Sequence, residues 1–441
     1  MGRYVGQAAA REQLLRWYRA GLEAIDPAHT TAAAIAAAPV PTRAPALLAI
    51  GKAAPGMLRG ALAGLAQRGP APSRVLVITH DTPTDLPPGT EVLLGDHPDP
   101  GTRSLAAGKR LGTWVRDLDP GEPVIALLSG GTSALIAAPV HGITPHELEA
   151  AFAALHARGL DIVAMNAVRR HLTRWSGGRL ATALGARDLV AYVISDVAGN
   201  RLGAIGSGPL VGGDLDPDAI ARVLADPGSI PGLPRSAITA LAAPVPGTRP
   251  VRHVVVSDAE QFVAAIARAA AADGAPTVRT LPRLTSTTAD AAREVATMLH
   301  REFRDRRPGL RIASARRTPE LLIWGAEMTV TLPAEPGRGG RLQQFALELA
   351  LVMERDTTPG LRSHGPVVLA ATSDGRDGPT DVGAVLTDAA LPDLIRADGR
   401  DPADLVARRD THDALERAGA LVRTGPTGTN VADVVVALLD P

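Results

Sequence analysis

The sequence contains no cysteine, which excludes disulfides, thiol nucleophiles and cysteine-ligated metals. Aromatic residues make up only 2% of the 441 residues, so the core must be built from Ala, Val, Leu and Ile. No charge of one sign dominates, because 46 Lys+Arg residues balance 46 Asp+Glu residues. A nucleic-acid binder normally presents a basic face, so nucleic acid is not expected as a partner.

Long apolar runs are also missing. The Ala-rich stretch at residues 31–40 is too short to span a membrane and is followed by Pro41. The first 20 residues carry Arg3, Arg11 and Glu12, where a signal peptide would need an uninterrupted apolar core. We therefore expect a cytoplasmic protein without a membrane segment.

Lysine is nearly absent, since Lys52 and Lys109 are the only two lysines in the chain. Lys52 follows the apolar run at residues 47–51 and precedes a helix-like stretch. Its ammonium is a compact point charge that the planar guanidinium of arginine does not replace. This placement at the end of a strand favours a phosphate-handling site, although chance survival of two lysines is the alternative interpretation.

The chain length exceeds the usual size of one hydrophobic core and indicates at least two domains. Short aliphatic runs alternate with Ala/Leu-rich helical stretches in the first half. Strands are predicted at residues 47–50, 74–79, 124–128 and 189–195, and helices at 55–67, 104–114 and 145–157. This alternation predicts βαβ units and a mainly parallel sheet covered on both faces.

A proline-rich segment at residues 225–250 separates the halves and is a candidate domain boundary or crossing segment. We place the two domains at residues 1–240 and 241–441. Beyond the segment, strands are predicted at 251–257, 277–281, 321–324, 327–332, 367–372 and 434–439, and helices at 259–272, 289–304 and 342–353.

Glycine and charged residues follow several predicted strands of the first half. Ser129-Gly130-Gly131-Thr132-Ser133 follows the strand at 124–128, and Asp196 follows the strand at 189–195. Ligands of parallel α/β sheets bind at the carboxyl ends of the strands. A glycine turn between a strand and a helix also aims backbone N–H groups at an anion.

Two further clusters lie in the second half. Gly339-Gly340-Arg341 opens a predicted helix, where a guanidinium suits carboxylate or phosphate. Asp374 and Asp377 share one loop, and such hard oxygen ligands suit Mg²⁺. Each cluster has a structural alternative, because Asp-Gly steps form ordinary turns and an aspartate often caps a helix.

Several signatures are missing from the chain. There is no G-x-x-x-x-G-K-[ST] phosphate loop, no protein-kinase motif set and no G-x-G-x-x-G dinucleotide fingerprint. His97 lies in a Pro- and Gly-rich segment and is interpreted as a turn residue.

Taken together, the motifs resemble the glycerate 2-kinases, whose C-terminal half is the MOFRL domain. The matching stretches run in the same order over nearly the whole chain: Gly51-Lys52-Ala53-Ala54, Asp96-His97-Pro98-Asp99-Pro100, Ser129-Gly130-Gly131, Asn166-Ala167-Val168-Arg169-Arg170-His171-Leu172, Gly177-Gly178-Arg179-Leu180-Ala181, Ser195-Asp196-Val197, Gly206-Ser207-Gly208-Pro209, Gly339-Gly340-Arg341, Asp374-Gly375-Arg376-Asp377-Gly378-Pro379-Thr380-Asp381 and Thr424-Gly425-Pro426-Thr427-Gly428-Thr429-Asn430-Val431.

The resemblance implies an α/β protein of two domains. The N-terminal domain would hold a doubly wound, Rossmann-like, mainly parallel sheet, and the C-terminal domain would be a smaller, MOFRL-like α/β domain, with the active site in the cleft. It further implies ATP-dependent phosphorylation of the 2-hydroxyl of D-glycerate. ATP, Mg²⁺ and D-glycerate are therefore the expected ligands, and the protein would be a monomer or homodimer.

Site residues are carried over from the resemblance by position. Lys52 and Arg341 are the expected cationic pair, and Asp196 is the expected catalytic carboxylate. The nucleotide would face the loop of Ser129, Gly130, Gly131, Thr132 and Ser133, together with Asn166 and Arg169. Asp196, Asp374 and Asp377 are the candidate metal ligands.

The chain departs from the family pattern near these motifs. The departures are Thr132 for glycine, Arg170 and Ser176 for lysine, Leu342 for asparagine, Gln344 for glutamate, and Trp324 and Ala326 in a segment that usually reads Ser-Gly-Gly-Glu. Three alternative functions stay open: a kinase for another small hydroxy acid, an NAD(P)H-dependent hydroxypyruvate reductase, and a catalytically silent nucleotide-binding homologue.

Overall fold

The computed structural model describes residues 7–67, 69–158, 162–213, 216–274, 277–305, 320–331, 333, 335–356, 361 and 365–439. The chain divides into two compact units, which we name by their sheets. The parallel-sheet unit comprises Asp26–Asp258 and Gly428–Asn430, and the mixed-sheet unit comprises Met1–Ile25, Ala259–Thr427 and Val431–Pro441. The chain passes from the parallel-sheet unit to the mixed-sheet unit after Asp258. The domain boundary at residue 240 stays a prediction.

The helices and strands are numbered in chain order. The strands are β1 (Ala46–Ile50), β2 (Arg74–Thr79), β3 (Glu91–Leu94), β4 (Val124–Leu128), β5 (Leu189–Ile194), β6 (Arg252–Ser257), β7 (Thr277–Leu284), β8 (Glu320–Ala326), β9 (Val367–Thr372), β10 (Ala384–Thr387), β11 (Leu421–Val422) and β12 (Asp433–Leu439). The helices are α1 (Ala8–Ala24), α2 (Pro27–Ala36), α3 (Ala54–Ala66), α4 (Thr102–Arg116), α5 (Thr132–Leu135), α6 (Pro145–Arg158), α7 (Ile162–Leu172), α8 (Arg179–Leu184), α9 (Pro217–Ala225), α10 (Arg235–Leu241), α11 (Ala259–Ala272), α12 (Thr288–Asp305), α13 (Arg341–Glu354), α14 (Leu391–Ala397), α15 (Pro402–Arg408) and α16 (His412–Arg417).

Six strands form the sheet of the parallel-sheet unit, in the order β3-β2-β1-β4-β5-β6. All neighbouring pairs are parallel, as the β-α alternation predicts. β1 and β4 are buried along their whole length, which explains their continuous aliphatic sequences. Ile50 is level with Ile78 and Leu128, so the loops that follow β1, β2 and β4 leave the sheet at one edge.

The mixed-sheet unit has a second six-stranded sheet, in the order β11-β10-β9-β12-β8-β7. Only β7 and β8 are parallel, and the other neighbouring pairs are antiparallel. Because β12 runs against β8 and β9, its first residue, Asp433, lies opposite Ala326 and Thr372, where those two strands end. Helix α13 is buried along most of its length within this unit's core.

Most predicted strands and helices are confirmed within one or two residues at each end. The strand predicted at residues 327–332 is wrong over its described part: there the chain makes only an isolated bridge between Thr329 and Thr287, and residue 332 lies outside the described residues. Among the helices that the structure describes, none combines the length and apolarity needed to cross a membrane.

Candidate functional site

The loop after β1 and the loop after β4 lie against each other at the carboxyl edge of the parallel sheet. The N–H of Lys52 donates to the carbonyl of Gly130 over 3.0 Å, and the N–H of Ala53 donates to Ser129 Oγ over 3.0 Å. Gly51 has a φ of +130°, and a Cβ built there would lie 2.1 Å from Ser129 Oγ. Only glycine therefore allows the two loops to approach this closely.

Thr132 forms hydrogen bonds within the loop after β4 and with the end of β1. Its hydroxyl donates to the carbonyls of Ser129 and Ile50 over 2.8 and 3.1 Å, and the residue is buried. The preceding Gly131, with a φ of +87°, turns the chain into α5. Thr132 thus ties the loop to the end of β1, and Ser133 is buried in the same short helix.

Lys52 lies beside the backbone of this glycine turn. A Cβ built at Gly131 would lie 3.3 Å from Lys52 Cγ and 3.1 Å from His97 Cδ2. The Lys52 side chain is half-buried and makes no hydrogen bond or ion pair with any residue that the structure describes. Its ammonium is therefore available to an anion.

His97 is a neighbour of Lys52, not only a turn residue as its sequence context indicates. Desolvation of its ring, and after it the positive charge of Lys52, lowers the pKa of His97, although the residue reaches solvent. The positive charge of Arg169 acts in the same direction. At neutral pH an uncharged His97 thus lies in a cationic setting.

Asp196 follows β5 and lies against the same loop. A Cβ built at Gly130 would be 2.1 Å from Asp196 Oδ2, so glycine leaves room for the carboxylate. The N–H groups of Gly130 and Gly131 make no hydrogen bond within the described part of the chain. The parallel-sheet unit therefore brings Lys52, residues 129–133 and Asp196 together, as the sequence predicts for the carboxyl ends of β1, β4 and β5.

Asn166 and Arg170, on α7, form hydrogen bonds with the segment that follows β5. Asn166 donates to the carbonyl of Ala204 over 2.7 Å and accepts from the hydroxyl of Ser207 over 3.0 Å. Arg170 donates to the carbonyls of Gly203 and Val211 over 2.7 and 2.8 Å. Both side chains are buried. Their amide and guanidinium groups hold residues 203–211, so in this structure neither side chain is directed at an open site.

Arg169 lies on α7 beside these two residues but makes different contacts. It is buried, its guanidinium carbon lies 4.3 Å from the centre of the Phe152 ring, and one amino group donates to His156 Nε2 over 3.0 Å. Burial lowers the pKa of Arg169 to about 10, so the group stays positively charged at neutral pH.

In the mixed-sheet unit, Arg341 begins α13 and pairs with Asp433. Arg341 Nε donates to Asp433 Oδ2 over 2.6 Å. The negative charge of Asp433, and to a smaller extent those of Asp377 and Asp374, raises the pKa of Arg341. Sequence reasoning missed Asp433, because only the antiparallel course of β12 places it at the edge where β8 and β9 end.

Asp377 is the N-terminal cap of α13. Its carboxylate accepts hydrogen bonds from the N–H groups of Leu342 and Gln343 over 3.0 and 2.9 Å and from the Gln343 side chain over 3.1 Å. Burial raises its pKa, while these hydrogen bonds lower it. Both oxygens are thus engaged, which leaves Asp374 as the more open carboxylate of the loop.

Asp374 uses one carboxylate oxygen within its own turn. Oδ1 accepts from Thr372 Oγ1 and from the N–H of Arg376 over 2.5 and 2.9 Å. Oδ2 has no hydrogen bond within the described residues. The described part of the chain contains no group of three or more His, Cys, Asp or Glu residues arranged to hold a metal. A complete protein cage is therefore missing there, and the metal roles of Asp196, Asp374 and Asp377 stay predictions.

The departures from the family pattern are interior substitutions. Leu342, Trp324 and Ala326 belong to the core of the mixed-sheet unit, and Gln344 is buried there with its amide donating to Glu348. Ser176 is buried in the parallel-sheet unit. These side chains change internal packing and internal hydrogen bonds.

Two protein families match the sequence. Residues 13–242 match the family described as a domain of unknown function, DUF4147, and residues 320–433 match the MOFRL family. Together they extend into both units and leave residues 243–319 unmatched.

Named relatives extend over most of the chain. The D-glycerate 2-kinase of Thermotoga maritima is 30% identical over 396 residues, which is 89% of this chain and 90% of that protein. A protein of Agrobacterium vitis, provisionally named hydroxypyruvate reductase, is 33% identical over 79% of this chain and 88% of its own length. The crystal structure of glycerate kinase from Thermotoga maritima superposes with a TM-score of 0.80 at 28% identity, over 98% of this chain and 100% of that one.

Fold and relatives together define a phosphotransferase with an alcohol acceptor. The chain belongs to the glycerate 2-kinase family.

Proposed function

We propose that the protein transfers the γ-phosphoryl group of ATP to the 2-hydroxyl of D-glycerate, with 2-phosphoglycerate and ADP as products. The observation that carries the proposal is Lys52, whose Cγ lies beside Gly131 and whose ammonium has no partner among the described residues. Family membership supplies the acceptor, since the Thermotoga maritima relative is named D-glycerate 2-kinase.

Phosphoryl transfer requires alignment of the reactants and positive charge opposite the migrating group. Lys52 would stabilise the phosphoryl oxygens, and the unpaired N–H groups of Gly130 and Gly131 would bind phosphate at the same edge. Asp196, which lies against Gly130, would accept the proton of the 2-hydroxyl. The hydroxyl oxygen would form the new bond to the γ-phosphorus while the bond between that phosphorus and ADP breaks.

Arg341 belongs to the mixed-sheet unit, and its part in the reaction is proposed from the family resemblance. One edge of its guanidinium is paired with Asp433, while its side chain stays 45% exposed. The remaining N–H groups suit the glycerate carboxylate or a phosphoryl oxygen, because a guanidinium binds such groups in a bidentate manner.

Mg²⁺ would neutralise and orient the phosphate oxygens when bound with the nucleotide. Asp374 fits this role best on the present contacts, because its Oδ2 is unengaged within the described residues whereas both oxygens of Asp377 cap α13. Asp196 is the second candidate. One or two carboxylates suffice, since Mg²⁺ usually keeps several waters.

The decisive experiment is phosphorus NMR of the purified protein with Mg-ATP and D-glycerate. We expect ATP-dependent formation of 2-phosphoglycerate. Product phosphorylated at the 3-position would overturn the regiochemistry. Activity only on other hydroxy acids would replace the substrate, and nucleotide binding without turnover would indicate a silent homologue.

A hydroxypyruvate reductase is the second candidate, because two relatives from Agrobacterium vitis carry that provisional name. Oxidation of NADH with hydroxypyruvate, in the absence of ATP, is the matched assay. We expect no NADH oxidation, since the chain has no dinucleotide fingerprint.

The oligomeric state and the cytoplasmic location stay predictions.

A further inference from the structure

Three polar side chains of the parallel-sheet unit, Arg169, His156 and Asp99, form one hydrogen-bonded chain. Arg169 on α7 donates to His156 Nε2 over 3.0 Å, and His156 Nδ1 lies 2.6 Å from Asp99 Oδ1. His156 is near the end of α6, and Asp99 lies in the loop between β3 and α4. Three separate elements therefore meet at one imidazole.

The chemistry of the partners determines the direction of both hydrogen bonds. A guanidinium has donors only, so His156 Nε2 must accept from Arg169. The proton of the neutral ring then lies on Nδ1, which donates to the Asp99 carboxylate. A carboxylate behind an imidazole fixes the tautomer and the ring orientation, as it does behind many functional histidines.

This arrangement orients Arg169 without neutralising it. Arg169 is 5% exposed, its guanidinium lies on the face of Phe152, and its Nε has no hydrogen-bond partner in the described residues. The direct hydrogen-bond partner of Arg169 is the uncharged ring of His156. The carboxylate of Asp99 bonds to His156 and not to Arg169. A buried charge that is not paired directly is costly and favours an incoming anion.

Arg169 also lies on the side of the unit that holds the glycine turn. His97 belongs to the same segment as Asp99, and its ring is 3.1 Å from the Cβ position of Gly131. The positive charges of Lys52 and Arg169 both act on that ring. Arg169 and Lys52 therefore contribute to one cationic region.

We propose that Asp99 and His156 are positioning residues that hold Arg169 ready for an oxyanion of the substrates. This proposal rests on the proposed function. The oxyanion is either a phosphate of the nucleotide or the carboxylate of the hydroxy acid. Both present the same chemistry to a guanidinium.

The test compares substitutions of His156 and measures KM for ATP and for D-glycerate separately. In His156→Leu we expect KM for one substrate to rise about tenfold or more, as expected when a hydrogen bond to a charged group is lost. His156→Gln supplies an amide oxygen to Arg169 and should restore much of the affinity. A rise for ATP identifies the phosphate, and a rise for D-glycerate identifies the carboxylate.

The control is His146→Leu, an exposed histidine at the start of the same helix. It should leave both KM values unchanged. A purely structural role for His156 would instead lower the thermal midpoint and the active fraction, and therefore kcat, while both KM values stayed at the wild-type level. That result would overturn the proposal. If His156→Leu does not fold, Asp99→Ala tests the same chain of contacts from its half-exposed end.

A double-mutant cycle tests whether His156 acts through Arg169. The effect of His156→Leu should disappear in an Arg169→Ala background, because the group that it positions is gone. Additive effects would contradict the proposal.

Equilibrium binding of ATP and of D-glycerate to each variant separates this inference from the proposed function. If the wild type binds its ligands without turnover, the proposed function fails, and the positioning role is still decided by the affinities. Equal affinities in wild type and His156→Leu would overturn the positioning role whether or not the enzyme turns over.

Discussion

Arg341 and Asp433 form an ion pair in which Nε and Oδ2 are 2.6 Å apart, although 92 residues separate them in the chain. The Asp433 side chain is only 4% exposed, whereas that of Arg341 is 45% exposed. Asp433 therefore anchors one edge of the guanidinium and leaves the rest of it open. This is the geometry expected of a cation that is oriented by the protein and binds a second anion.

Asp433→Asn should impair catalysis without removing Arg341. The amide keeps the size of the carboxylate but not its charge, so the hydrogen bond to Arg341 weakens and the guanidinium loses its orientation. We expect kcat/KM to fall about tenfold, since hydrogen bonds between charged groups contribute about 1.5–3 kcal/mol. Steady-state kinetics measure this, with Asp290→Asn as control, because Asp290 forms an exposed pair with Arg293 on α12. Equal kinetics for wild type and Asp433→Asn would argue against the role of the pair.

The same carboxyl gives a pH dependence of stability. Burial, partly opposed by the charge of Arg341, raises the pKa of Asp433 from 3.8 to about 6. Between these values the folded state binds more protons than the unfolded state, so this group's contribution to the free energy of unfolding falls as pH rises from about 4 to 6. It is fully present below the unfolded pKa.

Urea unfolding across this pH range, compared between wild type and Asp433→Asn, measures the effect. The variant lacks the titrating group, so its stability relative to wild type should increase as the pH is raised. A difference between the two proteins that does not change with pH would show that Asp433 titrates normally.

Lys52→Ala should abolish most of the phosphoryl transfer while the protein stays folded. The ammonium has no partner among the described residues, so its removal leaves no protein group unpaired. Loss of a preorganised charge opposite a transition-state oxygen typically costs about 100-fold or more in kcat. Lys109→Ala is the matched control, since Lys109 is the only other lysine and is exposed on α4. Comparable kcat values for both variants would remove Lys52 from the mechanism.

Gly51→Ala should destabilise the parallel-sheet unit. A Cβ there meets Ser129 Oγ at 2.1 Å and the Ser129 carbonyl oxygen at 2.8 Å, and the φ of +130° is unfavourable for alanine. Strain and overpacking each cost about 1–3 kcal/mol. Gly142→Ala separates the two, because Gly142 also has a positive φ, +88°, but nothing lies within 4 Å of its Cβ position. Denaturant unfolding of both variants measures the difference, and equal losses would show that the close loop contact costs nothing.

Local patterns in the sequence were enough to predict five of the six strands of the parallel sheet, all but the short β3. Continuous aliphatic runs such as β4 identify buried parallel strands, and the glycine turn after β4 lies at the carboxyl edge, where ligands of parallel α/β sheets are expected. The close approach of two loops requires Gly51 and Gly131. Their sequence context indicates a turn at each glycine, but not how near the second loop lies.

Roles were harder to predict than positions. Asp377, predicted as a metal ligand, caps α13, and Asn166, predicted to face the nucleotide, donates to the carbonyl of Ala204, while both ligand roles stay predictions. In both cases a polar side chain near a site serves the backbone around it. The sequence does not show whether such a side chain bonds to the backbone or binds a ligand, because the same polar atoms serve both purposes.

The sequence by itself determined the alternation of strands and helices, the family and the scarce lysine at the end of β1, because these depend on neighbouring residues and on ordered motifs. Only the tertiary structure decided that Asp433 pairs with Arg341, and that Asp99 and Arg169 meet at His156. The physical reason is that strand direction and helix packing bring together side chains that are tens of residues apart, and no local pattern encodes those distances.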